Sequence, residues 1–183
     1  MTARLLFLAF SLLAHAAGAQ PLTRLDVGQS RIEFGYVQMG VALDGRFGQF
    51  AGQVAFDRAK PQAARARLEV KMASADTGLE EANAELAGKD WFDTARHPVA
   101  RFESDAVKPL GGNRYQVDGR LTLKGRTRTV SAPFTYTPDS GGGQFTGIFT
   151  LRRADFAIGE GVWRDFSIVG NDITVRFRLR LVR

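Results

Sequence analysis

Apolar and polar residues alternate at every second position along much of this chain, and that period constrains its fold more than any other feature. In residues 64–72, Ala64, Ala66, Leu68, Val70 and Met72 fall on one side of an extended backbone while Arg65, Arg67, Glu69 and Lys71 fall on the other. In residues 30–38, Ile32, Phe34 and Tyr36 oppose Arg31 and Glu33 in the same way. A period of two with one wet side is the pattern of an antiparallel sheet whose apolar face must close on itself or stack. Eight segments read as strands: 30–38, 46–56, 64–72, 99–107, 114–123, 126–136, 143–151 and 172–182. Turn residues separate them, with Lys124-Gly125 at hairpin spacing, Gly111-Gly112-Asn113 before another strand and a loose Gly-rich stretch over 138–143. Consecutive strands are therefore expected to be neighbours, in an all-β fold that is a closed barrel or a two-sheet sandwich. Closure at eight strands leaves an interior just wide enough for side chains or one ligand.

One segment departs from the pattern. Thr77-Gly78-Leu79-Glu80 has the form of a capping box, Leu79, Ala82 and Leu86 recur at helical spacing, and Gly88 is placed to end a helix in a left-handed cap. This predicts a short helix over 78–87 that covers one end of the barrel. Trp91 and Phe92 directly after it read either as core packing or as a plug and cavity wall.

At the N-terminus one arginine precedes an apolar run over 5–14, and Ala17-Gly18-Ala19 supplies a small-x-small cleavage pattern. The run is about half the length a membrane-spanning helix needs. The expectation is a signal peptide over 1–19 and one exported, periplasmic domain over 20–183. With no cysteine and two histidines, of which His15 leaves with the leader, thiol nucleophiles, disulfides, Cys-ligated zinc and His-pair metal sites are excluded. A nucleophile and base would have to be built on His97 alone, so a lipid hydrolase or isomerase is the weakest reading and no catalytic residue, metal ligand or cofactor is assigned. Glu80, Glu81 and Glu85 are explained by a helix N-terminus and a solvated face. The carboxylates of Asp90, Asp93, Asp155, Glu160, Asp165 and Asp172 match no calcium-loop spacing.

The net charge of +6 comes from arginines that are spread rather than massed, and nucleic acid is not an expected partner. Arg176, Arg178 and Arg180 alternate with Val175, Phe177, Leu179 and Leu181. They read as the solvated outside of a strand, or as a basic surface that meets anionic lipid or membrane redox proteins. The positive signal is aromatic: with 14 phenylalanines in the chain, more rings, Phe166 among them, are assigned to the interior than a solid small barrel needs. A filled core and a ligand cavity are both compatible with that excess.

Several blocks are more specific. Ser30-Arg-Ile-Glu-Phe34, Met39-Gly40, Gly45-Arg46-Phe47 and Phe56-Asp57 open a pattern continued by Ser74-Ala-Asp76-Thr77-Gly78 and Asp90-Trp91-Phe92-Asp93. His97-Pro98, Arg101-Phe102, Gly119 to Gly125, and Asp155-Phe156 running to Gly161-x-Trp163 complete it. In order and spacing these resemble the YceI family of lipocalin-like, polyisoprenoid-binding exported proteins, over essentially the whole chain after the leader. The resemblance implies an eight-stranded antiparallel lipocalin-like barrel with a helical cover. It implies a bound isoprenoid lipid, a polyprenyl chain or a quinone tail, with no reaction assigned. By alternation and by family position the ligand-binding residues are expected to be Phe34, Tyr36, Phe50, Leu68, Val70, Phe102, Leu121, Phe134, Phe149, Trp163 and Phe177. Two departures bear on the head group. Many family members carry a His where this chain has Gln38, and an Arg-Asp-x-His-Leu run where it has Glu81-Ala-Asn-Ala-Glu85-Leu86. Carboxylates replace the cations a diphosphate would need, which favours an uncharged head group such as a quinone. An exposed barrel edge or helix face could support a homodimer.

Overall fold

The computed structural model describes residues 22–182; the expected leader lies outside the described residues. The strands are β1 (Arg24–Gln38), β2 (Val41–Phe47), β3 (Phe50–Ala55), β4 (Arg65–Lys71), β5 (Ala75–Asp76), β6 (Val99–Gly111), β7 (Arg114–Leu123), β8 (Arg126–Asp139), β9 (Gly142–Arg152) and β10 (Asp172–Val182). A single helix, α1 (Glu80–Ala87), lies between β5 and β6.

All ten strands belong to one antiparallel sheet in the order β3-β4-β6-β7-β8-β9-β10-β1-β2-β5. From β6 to β10 each strand pairs with the next in sequence, as the hairpin-spaced turns lead one to expect. The two end strands are continuations of inner ones. β3 follows β2 after a break at Gly48 and Gln49, and β5 follows β4 after one 3-10 turn over Met72–Ser74. Main-chain bonds carry the pairing across both breaks, with Gly48 N–H donating to Ser74 O (3.0 Å) and Lys71 N–H to Gln49 O (3.0 Å). An antiparallel bridge between Leu22 and Phe56 joins the start of the described chain to the far end of β3. Counting each broken pair as one strand gives eight, and the sheet curls until its edges meet, which leaves little unpaired edge.

The sequence-based boundaries shift at identifiable places. β1 begins at Arg24 rather than at residue 30, because Gly28-Gln29-Ser30 forms a bulge inside the strand and not a break before it. The Ser30 hydroxyl, buried there, donates to Asp26 O (2.6 Å) and accepts from Arg180 N–H (2.9 Å). β2 begins at Val41, ahead of the strand expected from residue 46: Met39 and Gly40, with φ of 49° and 81°, make a tight turn, and Gly45 lets the Phe34 ring lie where a Cβ would sit.

The helix also differs in its ends. It starts at Glu80 with Leu79 as N-cap and no side-chain cap bond, because Gly78 sits at φ 83° and cannot be helical. Instead of a capping box, the Asn83 side chain reaches back and accepts from Thr77 N–H (2.8 Å) and the Thr77 hydroxyl (2.9 Å). Gly88 is extended rather than left-handed, and Leu79 is 64% exposed instead of facing inward.

The core divides along the barrel axis. One cluster, at the closed end, packs Phe56 against Tyr115 and Phe145 with ring centroids 5.4 and 4.9 Å apart and edges meeting faces. The other surrounds the opposite end and includes Phe34, Met72, Trp91, Phe92, Phe156, Ile158 and Val169.

Candidate ligand cavity

The strand period delivers one side chain in two to the barrel interior, and at eight strands those side chains do not fill it. What remains is two chambers in line. The deeper, about 170 Å³, is walled by Leu68, Phe102, Phe134, Phe177 and other apolar side chains. The wider, about 460 Å³, lies toward the helix and is walled by Phe34, Leu123, Leu151 and Ile173, with Trp91 and Phe92 at its side. Ile32, Val70, Ala100, Leu121, Phe149 and Val175 belong to both walls, so the chambers are successive lengths of one tunnel with a waist between them.

Of the residues expected to bind a ligand, Leu68, Phe102, Phe134 and Phe177 line the deep chamber, Phe34, Tyr36 and Trp163 the wide one, and Val70, Leu121 and Phe149 the waist. Phe50 lines neither. It is the first residue of β3, beside the break in the strand, and packs half-buried against the closed-end core. Phe166, counted inward from the sequence, is 48% exposed, because it lies in an irregular segment where alternation gives no direction. His97 lines neither chamber and rests against the Lys124-Gly125 turn.

Arg65 and Arg101 border the deep chamber and Arg153 the wide one, and the other polar side chains of the lining gather at the mouth of the wide chamber: Tyr36, Gln38, Thr77, and Glu81 and Glu85 from α1. The helix presents Ala82 and Leu86 to the chamber beside those carboxylates and buries none of its residues. The Trp163 indole, which donates to Glu85 Oε1 (2.7 Å), ties it across the opening, and the Asn83 bonds to Thr77 fix its start. Burial and the nearby Asp44 carboxylate push the Tyr36 phenol above its ordinary pKa, so it stays neutral and able to donate.

The wall that meets the helix through Trp163 is an irregular segment between β9 and β10 that hangs on Arg153. Its guanidinium, 1% exposed, donates from Nε to Gly170 O (3.0 Å), from Nη1 to Ile158 O (2.8 Å) and Gly159 O (3.0 Å), and from Nη2 to Trp163 O (2.6 Å) and Val169 O (2.7 Å). All five donors of the side chain are thereby used. The same cation lies over the Trp91 ring at 5.5 Å. Asp90 ties the segment from the other side, its carbonyl accepting from Gly159 N–H (2.8 Å) and Glu160 N–H (2.9 Å). The sequence motifs around Asp90 and Gly161 are therefore two halves of one contact. Arg153 escaped sequence reading because an arginine amid 152–155 has no signal that separates it from the exposed Arg152 beside it.

The C-terminal arginines are held across strands: Arg176 pairs with Asp44, and Arg180 forks onto Asp139 at 2.5 and 2.8 Å.

Comparisons with known proteins agree with this geometry. The model of the YceI-like domain matches residues 24–181. A UPF0312 protein of Pseudomonas syringae pv. syringae is 35% identical over 134 residues, covering 69% of this chain and 70% of that one. The crystal structure of Burkholderia cenocepacia BcnA superposes with a TM-score of 0.83 at 38% identity, over 85% of this chain and 98% of the other. A polyisoprenoid binding domain from Saccharophagus degradans shares the fold at 16% identity, with a TM-score of 0.67 over 89% of this chain and 99% of its own.

Proposed function

This chain belongs to the YceI-like domain family, and from that premise we propose that it is an exported, periplasmic binding protein that holds an isoprenoid lipid in its barrel for transport or storage. The observation that carries the reading is the tunnel itself: two apolar chambers in line, closed by aromatic packing at one end and fringed with polar groups at the other. Such a shape suits a long unbranched or methyl-branched chain with a compact polar end. Each CH₂ buried from water contributes about 0.8 kcal/mol, so a long chain is held without polar recognition along its length. The relative from Saccharophagus degradans, described as polyisoprenoid binding, supports the same ligand class.

The head group is uncharged, with an isoprenoid quinone as the best fit. Two carboxylates stand at the mouth, and Arg153, the one guanidinium among the described residues that line the wide chamber, has given all its donors to backbone carbonyls. A diphosphate held inside the wide chamber would meet repulsion and find no free cation in its lining. Gln38 and the neutral Tyr36 can instead donate to a carbonyl or hydroxyl oxygen. Binding rather than reaction is the role this geometry supports. The test is lipid extraction from protein purified out of its own compartment, with identification by mass spectrometry. A quinone or another neutral isoprenoid is expected, and a diphosphate lipid as the dominant species would overturn the head-group reading.

A further inference from the structure

The chamber opens at one end of the barrel, and most of the large apolar side chains left in water are at that end. Met39 (73% exposed) and Val41 (58%) form the tip of the β1–β2 hairpin, whose Gln38 lines the chamber. Val162 (76%) and Phe166 (48%) lie in the segment between β9 and β10, on either side of Trp163, which lines it too. Main-chain bonds join the two pieces: Met39 N–H donates to Ile168 O and Gly170 N–H to Val37 O, both at 2.8 Å. The Phe166 ring rests on the Arg153 guanidinium at 5.1 Å, so it is held in place with part of its surface in water. A cluster of exposed apolar side chains on a fixed frame marks a contact surface.

Charge identifies what that surface meets. Arg126, exposed at the start of β8, and Arg164, whose side chain is 76% exposed, line with Phe166 a cleft of about 400 Å³. Glu160 also lines it, 3.7 Å from Arg164 and 3.5 Å from Lys124. Cations beside protruding apolar side chains match a lipid interface, with phosphates above and acyl chains below.

We propose that this rim docks on a lipid bilayer, with Met39, Val41, Val162 and Phe166 between the head groups and Arg126 and Arg164 against lipid phosphates. The apolar rim is continuous with the apolar chamber, so a membrane-dissolved ligand passes from the bilayer into the tunnel without crossing water. The purpose of docking rests on the carrier reading, but the docking itself is measurable whether or not the barrel holds lipid.

Flotation of the protein with vesicles of phosphatidylethanolamine and phosphatidylglycerol tests it. The unaltered protein floats with the vesicles. A triple variant, Met39→Asp, Val162→Asp and Phe166→Asp, loses about tenfold or more of that partition. The pair Arg126→Glu and Arg164→Glu weakens it several-fold and removes its salt dependence. Circular dichroism of each variant shows an intact fold, and native mass spectrometry shows unchanged uptake of an isoprenoid offered in detergent. An unaltered protein that stays in solution, or variants that float as well as it does, would overturn the proposal. So would a dimer in solution that the rim substitutions dissolve, since the rim would then belong to a second copy. An empty barrel that still floats would refute the carrier reading alone, and a loaded barrel that does not float would refute docking alone.

Discussion

At the scale of single residues, Arg153 and Phe102 show how differently buried side chains can contribute. Arg153 organises a wall: with its guanidinium removed, five carbonyls of the segment from Ile158 to Gly170 lose their donor in a site with little water. Unpaired buried polar groups are costly, so Arg153→Leu is expected to lower stability by roughly 3–5 kcal/mol in urea unfolding and to expose the wide chamber. A loss below about 1 kcal/mol would mean the segment is held by other contacts. Phe102 by contrast is wall surface. Its ring packs over Gly119, where a Cβ would come within 2.7 Å of it, and it faces the deep chamber. Phe102→Asp places a charge against the tail, and retained lipid should fall sharply while circular dichroism still reports a barrel. Unchanged retention in this and similar wall variants would count against the tunnel as the binding site. Phe102 was legible in the sequence because it lies in a regular strand, where alternation points a side chain unambiguously; the role of Arg153 was not, because its partners are backbone atoms of an irregular segment.

At the scale of elements, α1 stands at the mouth without burying a residue of its own. The Trp163–Glu85 bond links it across the opening, while the Asn83–Thr77 pair fixes its start and Phe92 N–H and Thr94 N–H donate to Leu86 O and Ala87 O at its end. Glu85→Ala is expected to speed exchange of a fluorescent isoprenoid analogue several-fold with little change in global stability; an unchanged exchange rate would place the gate elsewhere. The sequence pattern found this helix and its inward Ala82 and Leu86, yet misplaced its start. A Thr-x-x-Glu spacing is only a local signal, and here the left-handed Gly78 and the Asn83 side chain outcompete it. The outer faces of the strands carry a separate pH response. Lys108, Ser131 and Gln116 all donate to Asp118 and hold its carboxyl down to about 2. Because that folded value lies below the unfolded value of about 3.9, the stabilisation is complete above pH ~5 and is lost as pH falls through the folded value. Bonds from Gly78 and Arg46 hold Asp76, and bonds from Arg180 hold Asp139, in the same direction. Thermal unfolding followed from pH 6 to 2 should therefore show a decline confined to the acid limb, and Asp118→Asn should make that decline shallower.

At the scale of the whole molecule, the barrel follows from a repeated local rule. Each strand alternates, each hairpin turn is short, and eight such strands curl far enough to close. This is why the class of fold and the strand neighbours could be read from residues alone. The breaks in β2–β3 and β4–β5 could not, since nothing in Gly48-Gln49 or Met72–Ser74 distinguishes a kink within a strand from an ordinary boundary. Nor could the tunnel be separated from a filled core by counting aromatic residues; it depends on how far opposite walls stand apart, a property of closure rather than of any segment. The same closure sends the basic strand residues outward, where Arg176 and Arg180 pair with Asp44 and Asp139 on neighbouring elements. The central claim is that the space left inside is a site for one apolar chain. Native mass spectrometry of the protein taken from its own compartment, with its organic extract analysed in parallel, tests this most directly. One neutral isoprenoid lipid is expected per barrel, released when the deep chamber is charged by Phe102→Asp. A barrel that arrives empty, and remains empty when offered isoprenoid quinones and polyprenyl lipids, would contradict it.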